Sequence, residues 1–108
     1  MTLAEIKNQL ATSGLPVVYY AWPEGKAPAL PYLCYLQGST NNLHADGGVY
    51  KKIATVTVEL YSREKDPAAE AAVEKALAPY HWEITGTEYI DTERVYETIY
   101  EFEVIFDA

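Results

Sequence analysis

At 108 residues the chain is one domain's worth, long enough to bury a core without covalent staples and too short for two independent cores. Sixteen acidic residues against eight basic ones leave a formal charge of −8, a surface that repels phosphate backbones and argues against specific binding of DNA or RNA. The single cysteine, Cys34, excludes an intramolecular disulfide and a multi-cysteine zinc site. No stretch approaches a membrane span and MTLAEIKNQL lacks a signal-peptide core, so the chain reads as made and kept in a reducing cytosol or exported only inside something larger.

Thr2 and Glu5 have the spacing of a capping box, and Leu3, Ile6 and Leu10 then recur at helical intervals up to Gly14, where Pro16 forbids continuation. Val17 to Trp22 is rich in β-formers and predicts a first strand, stopped by Pro23 and the Glu24-Gly25 turn. Pro28 and Pro31 make 26–31 an extended linker, and Tyr32 to Gln37 predicts a second strand with Leu33 and Tyr35 opposite Tyr32, Cys34 and Leu36. From Gly38 to Gly48 the composition is that of turn and loop, and a connection of this length is characteristically functional or mobile.

Tyr50 to Ser62 contains no Gly or Pro and alternates strictly, with Ala54, Val56, Val58 and Leu60 on one side and Thr55, Thr57, Glu59 and Tyr61 on the other. It is the strand around which the rest is expected to assemble. Asp66 as N-cap, Pro67 at the first helical position and Glu70 in the first turn open a second helix, whose stripe is Ala69, Ala72, Val73, Ala76 and Leu77; Pro79 ends it. His81 to Tyr89 predicts a strand bent at Gly86, and Asp91 to Arg94 a turn. In the last strand, Val95 to Phe106, the even positions from Tyr96 to Phe106 form the better core face, while Glu97, Glu101 and Glu103 go to solvent or a partner. The fold expected is α+β: a mainly antiparallel sheet of four to five strands flanked by two helices, in the order α-β-β-β-α-β-β, as a single domain over 1–108.

No constellation carries a catalytic signature. His44 with Asp46, and His81 with Glu83, are each too few for a divalent metal site, and a solvated loop and an edge strand explain them; no metal or other cofactor is expected. Cys34 sits mid-strand without a histidine near it in sequence and reads as a small buried side chain. The carboxylates of Glu97, Glu101 and Glu103 are accounted for by an outward sheet face, without acid–base work. Tyr19, Tyr20, Tyr32, Tyr35, Tyr50 and Tyr61 are too many to be buried on one sheet face, so some are expected to meet another chain; Trp22, and Trp82 beside His81, fit an interface anchor and core packing equally.

Taken together, the short N-terminal helix, the run AWPEGKAPALPYLCYL, the loop NNLHADGGVYKK, the passage VTVELYSREKDPAAEAAVEKAL and the closing ERVYETIYEFEV resemble the tail terminator or tail-completion proteins of long-tailed, non-contractile phages and prophages. The resemblance spans nearly the whole chain as an overall pattern. It implies a non-enzymatic protein of the virion tail or neck, made in the bacterial host cytoplasm, that forms a ring, usually of six copies. Such a ring caps the major tail tube protein and meets the head-tail connector protein. The interface expected under that reading comprises Trp22, Asn41, Asn42, Leu43, His44, Asp46, Tyr50 and Tyr61, with Glu97, Glu101 and Glu103 on an exposed or lumenal acidic face. The alternatives are a head-tail connector or other neck protein of related fold, and a small cytosolic ligand-binding or regulatory dimer.

Overall fold

The computed structural model describes residues 1–106. Helix α1 (Leu3–Ala11) opens as the sequence predicts: the Thr2 hydroxyl accepts the Glu5 N–H at 3.2 Å, and Ile6 and Leu10 are wholly buried. Helix α2 (Pro67–Ala76) starts under Asp66, whose carboxylate accepts the Ala69 N–H at 3.0 Å, and closes one residue on, where Leu77 N–H donates to the Val73 carbonyl. Its buried side includes Glu70, whose carboxylate takes both hydrogen bonds from the Lys65 ammonium, at 3.0 and 2.8 Å.

The strands are β1 (Val17–Tyr19), β2 (Tyr32–Thr40), β3 (Leu43–Ala45), β4 (Gly48–Ser62), β5 (Glu83–Ile90) and β6 (Val95–Phe106). They form one sheet in the order β1-β2-β4-β6-β5, with β3 attached to the far end of β4. The architecture is α+β, but the details differ from the periodicity reading in three ways. The sheet has six strands where four or five are expected, because the Gly38–Gly48 stretch extends β2 to Thr40 and contributes β3, and the order becomes α-β-β-β-β-α-β-β. The sheet is mixed, since β1 pairs with β2 in parallel, Val17 against Leu33. Finally, β1 ends at Tyr19 and not at Trp22, because Tyr20 takes a left-handed conformation (φ 68°) that an extended strand cannot hold.

Pairing β1 with β2 in parallel requires the chain to cross over between them, and residues 20–31 make that crossing as an irregular strap. The strap passes over the sheet face away from the helices: Trp22 packs edge-on against Tyr32, and Cys34 and Tyr61 lie beneath.

The core lies on the other face. Leu33 and Tyr35 of β2, Ala54, Val56, Val58 and Leu60 of β4, and Tyr100, Phe102, Val104 and Phe106 of β6 all point to it, and Ile6, Leu10, Val73 and Leu77 cover them. The alternation in β4 and β6 therefore assigns the core face as predicted. Tyr80 stacks flat on Phe102 with centroids 4.3 Å apart, and Tyr100 is anchored to α2 by its hydroxyl, which donates to Glu74 Oε2 at 3.1 Å. The radius of gyration, 14.9 Å, exceeds the roughly 13 Å of a compact domain of this size, and the long axis of 50 Å against 27 and 22 Å shows why: β3 and the start of β4 project beyond the body.

Candidate functional site

The projection is a β-hairpin arm with a two-residue turn. Asp46 and Gly47 both have positive φ, 52° and 77°, which is the type I′ geometry whose twist matches that of the flanking strands, and Ala45 pairs with Gly48 across it. Gly47 is where the chain needs a residue without a Cβ. On one arm strand Leu43 faces Lys51 and His44 faces Val49, so a β-bulge at the base gives the arm an added twist. Leu43, Val49 and Tyr50 are about half exposed, at 51%, 48% and 59%. By cross-strand register Leu43, Lys51, Ile53 and Ile105 share the helix-free face, and Ile105 is also half exposed.

The second feature is an open groove of about 830 Å³ at the same end of the sheet. β5 first pairs with β6 at Glu83 opposite Glu101, so from Phe102 to Phe106 the strand β6 is paired only with β4 among the described residues. Residues 79–82 turn away toward the core face, where Tyr80 lies on Phe102, and leave that edge of β6 open. Thr55, His81, Glu83, Glu101, Glu103 and Ile105 line the groove.

The third feature is a set of carboxyls near the middle of the helix-free face. Glu59 and Glu97 are hydrogen-bonded to each other, and the Tyr61 hydroxyl donates to Glu59 Oε1 at 3.3 Å. Burial, and then the nearby Glu97 charge, push the Glu59 carboxyl up to about 7. The same burial, with Glu59 and Glu97 beside it, pushes the Cys34 thiol up to about 11. Like charges also face each other at Glu88 opposite Glu97 and Glu83 opposite Glu101. No group of three or more histidine, cysteine or carboxylate side chains is arranged to hold a metal ion among the described residues.

Of the expected interface residues, Asn41, Asn42, Leu43, His44, Asp46 and Tyr50 are brought together at the base and along the arm. Trp22 and Tyr61 are not with them: both are half-buried under or beside the strap, packed on Tyr32 at the opposite end of β4. Glu103 is exposed and Glu101 partly so, as expected of an outward acidic face, but Glu97 is only 6% exposed. Its parity places it on the outward side correctly; Tyr61 directly opposite and Glu59 beside it then cover it, which periodicity along one strand does not reveal. Alternation marks Glu59 only as an outward residue, and its meeting with Glu97 depends on strand register, for which the sequence carries no local signal. The hairpin did have one, the Asp46-Gly47 dipeptide.

No helix among the described residues is long and apolar enough to cross a membrane. Comparison of the chain with protein-family profiles gives no match, and comparison with curated proteins gives none either.

Proposed function

We propose that the protein is a structural assembly component of a phage or prophage particle: a ring-forming tail terminator that caps the tube of a non-contractile tail and helps join it to the head. The observation that carries this reading is the arm. A rigid hairpin that holds Leu43, Val49 and Tyr50 in solvent, beyond a body that has its own complete core, is a surface suited to another protein chain. The acidic helix-free face fits the same reading, because Glu83, Glu88 and Glu103 are exposed there and would let nucleic acid slide past a lumen without binding it. The tail-terminator reading and the number of copies are what the resemblance described above implies.

The test is light scattering of the purified protein over a range of concentrations, alone and with major tail tube protein. The expected result is a closed oligomer of about six chains, formed alone or on the tube. A single-chain mass in every mixture rejects the reading.

A further inference from the structure

We infer that the contact between copies is made by the hairpin arm of one chain seated in the β6-edge groove of the next. This rests on the ring reading and names the two surfaces that would build it.

The two surfaces complement each other in three respects. Each presents a strand edge without a partner among the described residues: there, β3 is bonded only to β4, and β6 from Phe102 to Phe106 only to β4. An edge of this kind is satisfied by adding a strand. Each presents exposed aliphatic side chains, Leu43 and Val49 on the arm and Ile105 in the groove. Their charges are complementary on balance: Glu83, Glu101 and Glu103 line the groove beside Met1 and His81, while Lys51 and Lys52 at the base of the arm outnumber the one carboxylate of the arm, Asp46 at its turn.

The arm cannot serve its own groove. β3 and β6 lie on opposite sides of β4, and the arm runs outward in line with β4 past the Lys52–Phe106 pair that ends β6. The occupant is therefore a second copy, and the contact is heterologous: each chain gives an arm and receives one, so the contact repeats until it closes. The competing symmetric contact, β5 edge against β5 edge, would set the exposed Glu83 and Glu88 against their own copies.

A mixing experiment tests the inference. An arm variant, L43E with V49E, and a groove variant, I105E, alter only half-exposed side chains, and circular dichroism checks that both fold. Each alone is expected to show single-chain mass under conditions where the unaltered protein assembles. Their equimolar mixture keeps one intact contact and is expected to stop at two chains. In addition, Leu43→Cys protein mixed with Ile105→Cys protein is expected to form a disulfide-linked mixed dimer on oxidation, and neither alone a linked homodimer. Assembly of the variants like the unaltered protein, a mixture that stays at single-chain mass, or no mixed cross-link overturns the arm-in-groove contact and leaves the ring reading standing. Failure of the unaltered protein to assemble at all, with or without tube protein, overturns both.

Discussion

Glu59 and Glu97 are diagonal neighbours on two adjacent strands of the sheet, β4 and β6, and share a hydrogen bond, with Tyr61 and Cys34 beside them. Two carboxyls held this close cannot both be ionised cheaply, so the folded protein keeps a proton that the unfolded chain releases.

Stability is therefore expected to depend on pH in a defined direction. The contribution of Glu59 is fully present below its ordinary carboxyl value of 4.5 and is lost as pH rises through the folded value of about 7. Tm measured from pH 5 to pH 8.5 should fall across that window. Glu59→Gln should flatten the dependence and raise stability at pH 8 by about 1 kcal/mol after allowance for solvent screening. An unchanged slope in the variant would remove the pair as its cause.

Thr98 is 1% exposed on the core face, and its hydroxyl has no hydrogen-bond partner among the described residues. Replacing it with the near-isosteric valine removes a buried polar group without changing volume much, and Thr98→Val should stabilise the protein by about 1 kcal/mol in urea unfolding. A loss of stability would mean that the hydroxyl is satisfied in solution.

The body and the arm should respond very unequally to truncation. Leu10 is wholly buried between α1 and the sheet, so Leu10→Ala should cost about 2–5 kcal/mol in denaturant unfolding. Leu43 is 51% exposed, and Leu43→Ala should stay within about 0.5 kcal/mol of the parent.

Gly47 has φ +77° and open space around a would-be Cβ, so the cost of a side chain there is conformational and not steric crowding. Gly47→Ala should weaken the hairpin by roughly 1 kcal/mol, read as faster amide exchange at Leu43 to Lys51 with little change at Val56 or Val58.

Cys34 is 4% exposed, and its thiol is pushed up to about 11. Thiol-reagent labelling at pH 7.5 should be slow in buffer and fast in urea. Rapid labelling of the native protein would show that the strap opens.

What the sequence made legible follows from where periodicity carries information. Alternation in Ala54–Leu60 and Tyr100–Phe106 assigns the core face of the central strands, and Thr2, Asp66 and Pro67 place the starts of both helices, because caps and alternation are local. A connection as long as Gly38–Gly48 implies an arm or an elaborate hairpin, but its loop composition hid the strands within it, which exist by virtue of pairing with Gly48–Lys51, not by propensity. The parallel seating of Val17–Tyr19, the strap over Cys34 and the meeting of Glu59 with Glu97 are all contacts between distant segments, and no single stretch encodes them. The candidate site was thus half visible: its polar hairpin residues could be picked out, whereas the open edge at Phe102–Phe106 that complements them arises only once β5 turns aside at Glu83.

β4 runs unbroken from Gly48 in the arm to Ser62 at the far side of the body. Apart from the bulge at Tyr50 the strand has no break between arm and body, so a force on the tip passes along it toward Val56, Val58 and Leu60. A partner gripping the tip meets a lever already set at its working angle, so little chain freedom remains to be surrendered on capture, and the geometry of the grasp is dictated by the interior of the molecule.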